Sequence, residues 1–117
     1  MKYLMLIHTP APDSTAPRPT DGLTPEEFMA FHKTIVDAGV VLDSNALDVA
    51  HATSVVVRPD GERVVTDGPF AETREMVGGY YLIDVPDLDV AIDWAGRCPG
   101  ALHGRMEIRT VWEPDQS

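Results

Sequence analysis

The chain holds one cysteine, Cys98, so no internal disulfide can staple it. That cysteine stands just before Pro99, where a helix is expected to end. The negative end of a helix dipole disfavours a thiolate, so Cys98 reads as a buried, inert thiol. Bases are scarce as well. Nine Lys and Arg against nineteen Asp and Glu give a formal charge of −10. Phosphate backbones and anionic lipids attract basic surfaces, so neither nucleic acid nor a membrane surface is an expected partner. No apolar run approaches the ~20 residues of a membrane span. The opening "MKYLMLI" is too short for a signal peptide's apolar region and lacks a small-residue cleavage site, so a cytoplasmic location is expected. Metal-ligand spacing is missing too. No two histidines stand at i, i+4, and no Cys–His cluster exists. Asp87, Asp89 and Asp93 lack the glycine and closing glutamate of a calcium loop and fall on a helix. Gly78-Gly79 is no phosphate-binding fingerprint, and no Gly-x-Ser-x-Gly elbow occurs. No metal or cofactor is expected.

What is present fits one domain over residues 1–117. The chain is 44% hydrophobic and 24% charged, ordinary for a globular protein. Residues 2–8 read as a strand, with Tyr3, Met5 and Ile7 on one face and Leu4, Leu6 and His8 on the other. Residues 9–23, with four prolines, read as a loop. Its length points to disorder or to a functional cover. Thr24-Pro25-Glu26-Glu27 has the form of a capping box with proline at the first helical position, and Gly39 stops that helix. Phe28, Met29, Phe31, His32, Ile35 and Val36 share its apolar arc, which sets His32 inside the buried stripe.

Residues 40–42 and 47–49 read as a strand broken by Asp43-Ser44-Asn45. Residues 54–58 and 62–66 form a hairpin around Pro59-Asp60-Gly61. Residues 79–85 make the next strand. Asp87 caps a second helix running to about Cys98, and residues 104–112 make the last strand. Residues 113–117 are a polar tail. The order β-α-β-β-β-β-α-β predicts an α+β fold, a split βαβ antiparallel sheet with an extra hairpin. Two helices can cover only one face of such a sheet. Yet Leu4 and Leu6, and Leu82 beside Tyr80, stand opposite equally apolar neighbours, where a one-sided sheet would alternate with polar residues. A second copy of the sheet is the simplest cover, so a homodimer is expected.

The segment "VVTDGPFAETREMVGGYYL", residues 64–82, holds more than a tight turn needs. Its Asp67-Gly68-Pro69-Phe70-Ala71-Glu72-Thr73-Arg74-Glu75, followed by Gly78-Gly79-Tyr80-Tyr81, resembles the DGPF branch of the YCII-related family. The usual pattern there is Asp-Gly-Pro-Phe, any residue, then Glu-Thr-Lys-Glu, and Arg74 replaces the lysine. The opening "MKYLMLI", the "AGV" after the first helix, "DLDVAIDWA" and "GRMEIRTV" extend the similarity over most of the chain. The resemblance implies a ferredoxin-like fold that dimerises into an α/β barrel. It also implies a suspected enzyme, since relatives share a histidine and an aspartate and a few process small ring compounds. The family's histidine stands early in the first helix, near Phe28, one turn before His32. DGPF proteins also often neighbour extracytoplasmic-function sigma factors, which implies a stress-response setting.

Two readings remain open for each candidate residue. Asp67 is either a turn former or a general base held by Pro69. Phe70 anchors the loop or stacks on a ligand. Glu72, Arg74 and Glu75 pair on a solvated surface, or Arg74 clamps a carboxylate bidentately. His32 is a core histidine or, with Asp67, an acid–base pair, and His8 is a second candidate facing the same cavity. Tyr81 packs or offers its hydroxyl to a pocket. His51 and His103 read as surface residues in turns. One hypothesis is thus a cofactor-free enzyme acting on a small organic molecule beside the motif loop. The other is a ligand-sensing or interaction module tied to a sigma-factor system.

Overall fold

A computed structural model describes residues 1–10, 25–48, 52–67 and 75–114. Along the chain run β1 (Lys2–Pro10), α1 (Pro25–Asp37), β2 (Val41–Ala46), β3 (Thr53–Val57), β4 (Arg63–Asp67), β5 (Glu75–Asp84), α2 (Leu88–Arg97), α3 (Pro99–His103) and β6 (Arg105–Thr110). Four strands form one antiparallel sheet in the order β2-β5-β1-β6, and β3 and β4 form a separate two-stranded sheet. Without that hairpin the order is the split βαβ arrangement of a ferredoxin-like α+β fold, as expected. The Pro-rich segment, Thr24, His51, the Gly68–Arg74 part of the motif and the last three residues lie outside the described residues.

Local chemistry sets most boundaries. Gly39 takes φ 77° and ends α1, its N–H reaching the Val36 carbonyl. Asp87 caps α2 by accepting from the Val90 N–H at 3.0 Å. The β3–β4 hairpin closes where Asp60 accepts from the Glu62 N–H at 2.8 Å and Gly61 adopts φ 90°.

Period-two alternation then divides the large sheet. Tyr3 and Met5 of β1, and Tyr81 and Ile83 of β5, are buried against Phe31 and Ile35 of α1 and Ala91, Trp94 and Ala95 of α2. Phe31 is the hinge of this core, meeting Tyr81 edge-on at 5.8 Å and Trp94 at 6.4 Å. Leu4, Leu6 and Leu82, one residue out of step, are half-buried and lie outside that cluster. The Cα distribution is only 19 Å across its thinnest axis, enough for a sheet and one helix layer.

Three expectations need correction. Asp43-Ser44-Asn45 does not break its strand: β2 runs through it, with a bulge between Val41 and Asp43. Asp43 and Asn45 both bond the Tyr80 hydroxyl, so cross-strand contacts override their turn preference. His32 is exposed, and so are Met29 at 69% and Val36 at 44%; α1 buries only Phe31 and Ile35, a narrower stripe than its sequence pattern. His103 closes the short helix α3 rather than standing in a turn.

The aromatic wedge gives a direct prediction. Phe31→Ala empties the contact between α1, β5 and α2 and should cost about 3–5 kcal/mol, read as a lower guanidinium midpoint with unchanged slope. A loss under about 1 kcal/mol would mean that Phe31 does not organise the core.

Candidate functional site

The two candidate histidines in the described sheet and helices sit on opposite faces of the sheet. His32, on α1, lies on the helix side, where its Nδ1 is 2.8 Å from the Tyr81 hydroxyl. Burial, first, and the nearby Cys98 push the Tyr81 phenol up to about 12 from its ordinary 10.0. The phenol therefore stays protonated at physiological pH. With a neutral imidazole it donates to Nδ1 and leaves the ring proton on Nε2.

His8 lies on the helix-free face. Its Nε2 is 2.8 Å from Glu107 Oε1, and Arg109 Nη1 approaches the other carboxylate oxygen, Oε2, at 3.3 Å. A carboxylate only accepts, so His8 must hold its proton on Nε2, leaving Nδ1 as the ring's basic atom. The His8 hydrogen bond, ahead of the charges of His8 and Arg109, holds the Glu107 carboxyl below its ordinary 4.5. At 13% exposure, His8 is neither sealed in the core nor loose on the surface.

A β-bulge and one glycine-dependent close approach flank this histidine. At the Ile7/His8 step, Ile7 pairs with Gly79 but His8 pairs with Val77, so Gly78 is the extra residue of a β-bulge. A Cβ on Gly104 would collide with the His8 carbonyl, so the α3–β6 junction can press on β1 only as glycine. On the same sheet face, near the opposite edge, the Tyr80 hydroxyl donates to Asp43 Oδ2 at 2.8 Å and accepts from Asn45 Nδ2 at 2.8 Å.

Asp67 ends β4, exposed and paired with Thr53 in the separate hairpin. The hydrogen bonds of His32 and His8 go to Tyr81 and Glu107, and neither involves Asp67. Phe70, Glu72 and Arg74 lie outside the described residues. Sequence reasoning missed Glu107, Gly104 and the Asp43–Tyr80–Asn45 cluster. Glu107 left one signal, a charge in the middle of a strand flanked by Met106 and Ile108, which pack on the core. Among the described residues no group of three or more His, Cys, Asp or Glu is arranged to hold a metal, and no helix is long and apolar enough to cross a membrane.

The model of the YCII-related domain matches residues 1–115. The chain belongs to the YCII-related family. It is similar to an uncharacterised protein of Rhizobium meliloti (strain 1021), 36% identical over 87 residues that span 73% of this chain and 70% of that protein. These YCII-related features add the family's fold without adding a reaction.

Two pH-dependent outcomes follow from the YCII-related chain's tyrosine and glutamate. The folded Tyr81 value exceeds the unfolded one, so folding protects its proton. That stability is intact below about pH 10 and lost progressively as pH rises to about 12. Phenolate absorbance should show one late-titrating tyrosine, absent in Tyr81→Phe; a full set titrating near 10 would contradict the burial argument. For Glu107 the sign reverses: its contribution is present above the ordinary carboxylate range and lost as pH falls through its lowered value. Glu107→Gln should flatten that part of the acid limb in urea titrations, and an unaltered limb would show that the pair is not coupled to folding.

Proposed function

We propose that this YCII-related chain is a DGPF-branch homodimer that binds a small organic acid and moves a proton at His8. The carrying observation is the half-buried His8–Glu107 pair on an apolar, helix-free sheet face. Each part has a chemical job. Leu4, Leu6 and Leu82 accept the apolar body of a ligand. His8 exchanges the proton at Nδ1, and Glu107 fixes the tautomer and stabilises the imidazolium that forms. Arg109 offers a guanidinium to an anionic group. Chain connection supports a role for the motif loop: Glu75, which follows Arg74, pairs with Pro10, two residues beyond His8. In this reading Arg74 is the anion clamp, and Asp67, Phe70 and Glu72 are the motif's further ligand-binding residues. His32 and Tyr81, on the other side of the sheet, are left to packing and orientation. No cofactor is needed for proton transfer of this kind.

A non-catalytic reading rests on a different observation. Among the described residues, the β3–β4 hairpin packs substantially only on itself and exposes Val55, Val57 and Val65 on one face. Such a patch suits an interaction module, including one serving a sigma-factor system.

The test uses 4-hydroxybenzoate as a small cyclic acid in a heteronuclear NMR titration. Shifts should concentrate at His8, Leu4, Leu6 and Leu82 and disappear in His8→Asn, while the melting temperature changes little. Shifts confined to the β3–β4 valines, or none at all, would remove the acid–base site.

A further inference from the structure

Strand register fixes what stands at each end of the helix-free face. Leu4 pairs with Leu82 and Arg109, and Leu82 pairs with Asp43, so one row across the face reads Asp43, Leu82, Leu4, Arg109. Leu6 pairs with Tyr80 and Glu107, and Tyr80 pairs with Asn45, so the next row reads Asn45, Tyr80, Leu6, Glu107. The leucines thus form an apolar floor between two different polar ends. One end is the His8–Glu107–Arg109 group. The other, Asp43, Tyr80 and Asn45, has no part in proton transfer at His8.

Hydrogen bonds at the second end decide what it can recognise. The Asp43 carboxylate can only accept, so the Tyr80 hydroxyl gives its proton to Oδ2 at 2.8 Å. Asn45 Nδ2 donates to the same tyrosine oxygen at 2.8 Å and holds it from the other side. Asp43 Oδ1 in turn takes the Ser44 N–H at 2.9 Å. With its one proton committed, the phenol oxygen keeps acceptor capacity only, and it stands beside a negative charge. It suits an N–H or O–H of a ligand and opposes a carboxylate. Of the three residues, Tyr80 is the half-buried one and pairs directly with Leu6. The opposite end has the reverse character. Arg109 carries a guanidinium fork of five N–H donors, of which one on Nη1 meets Glu107.

We propose that Tyr80 reads the far end of the ligand, so that the site takes a cyclic acid carrying a hydroxyl or amine opposite its carboxylate. The carboxylate lies toward Arg109, the ring over Leu4 and Leu6, and the donor group on the Tyr80 oxygen. Asp43 is a positioning residue: by taking the tyrosine's proton it makes the hydroxyl an acceptor. This rests on the acid-binding reading of the His8 face and names its substrate class. Strands β5 and β6 stand two spacings apart, about 10 Å. One ring with groups at opposite ends can meet both poles across that gap. An acid with a bare ring leaves the Tyr80 oxygen without a partner, and a reversed ligand sets carboxylate against carboxylate.

Calorimetric titration of the full chain with benzoate, 4-hydroxybenzoate and terephthalate tests this. 4-Hydroxybenzoate should bind about tenfold more tightly than benzoate, as a hydrogen bond beside a charge predicts, and terephthalate more weakly than either. Tyr80→Phe should reduce the first ratio to about one. Asp43→Ala frees the tyrosine's proton for a ligand acceptor. Terephthalate should then bind at least as well as benzoate, a reversal that loss of packing alone would not produce. Intermolecular NOEs should join the ring protons beside the hydroxyl to Tyr80 and those beside the carboxylate to Leu4. Equal wild-type affinity for benzoate and 4-hydroxybenzoate, a preference that survives Tyr80→Phe, or the reversed NOE pattern overturns the role of Tyr80. Failure of all three acids to bind, or undiminished binding in His8→Asn, overturns the acid-binding reading itself, a distinct result.

Discussion

The structure depends on a mismatch between one sheet and one layer of helices. β1 and β5 alternate apolar residues on both faces, but α1 and α2 lie against only one. On that side Phe31 meets Tyr81 and Trp94 and closes the core. The other side keeps Leu4, Leu6 and Leu82 half-buried between polar ends. Hydrophobic burial is non-directional, so the covered face decides how the chain folds. The uncovered face carries ordered polar chemistry, the Asp43–Tyr80–Asn45 chain and the Glu107 bridge between His8 and Arg109.

That chemistry is placed by backbone constraints more than by the motif loop. His8 follows a bulge whose extra residue is Gly78, and Gly104 allows the start of β6 to approach the His8 carbonyl closely. A β-bulge beside a site re-aims one side chain without disturbing the rest of the strand. Gly78 and Gly104, far apart in sequence, thus both shape the backbone around His8. The buried residues Ile83 and Met5 make the sheet rigid enough for that aim to persist.

Much of the fold was legible because its signals are local. Gly39, Asp60-Gly61 and Asp87 act through their own backbone or the next turn, so their chemistry can be read in place. The alternation in β1 and β5 was equally plain, as was the resulting two-faced sheet. Three things depended on partners distant in sequence. Asp43 and Asn45 became strand residues only because Tyr80 accepts and donates there. His32 lies at an apolar helical angle, yet α1 fully buries only Phe31 and Ile35. A histidine with a carboxylate partner was anticipated, but the partner found is Glu107, ninety-nine residues from His8 along the chain. No local pattern could select it over Asp67. Strand order had to be known first.

The two histidines also show why identity of residue type does not set capability. His32 meets a phenol that keeps its proton and can donate it to Nδ1. His8 meets a carboxylate whose own pKa is lowered by that hydrogen bond, an acceptor that locks the ring proton on Nε2. Arg109 shares the same carboxylate through its second oxygen, at the longer distance of 3.3 Å.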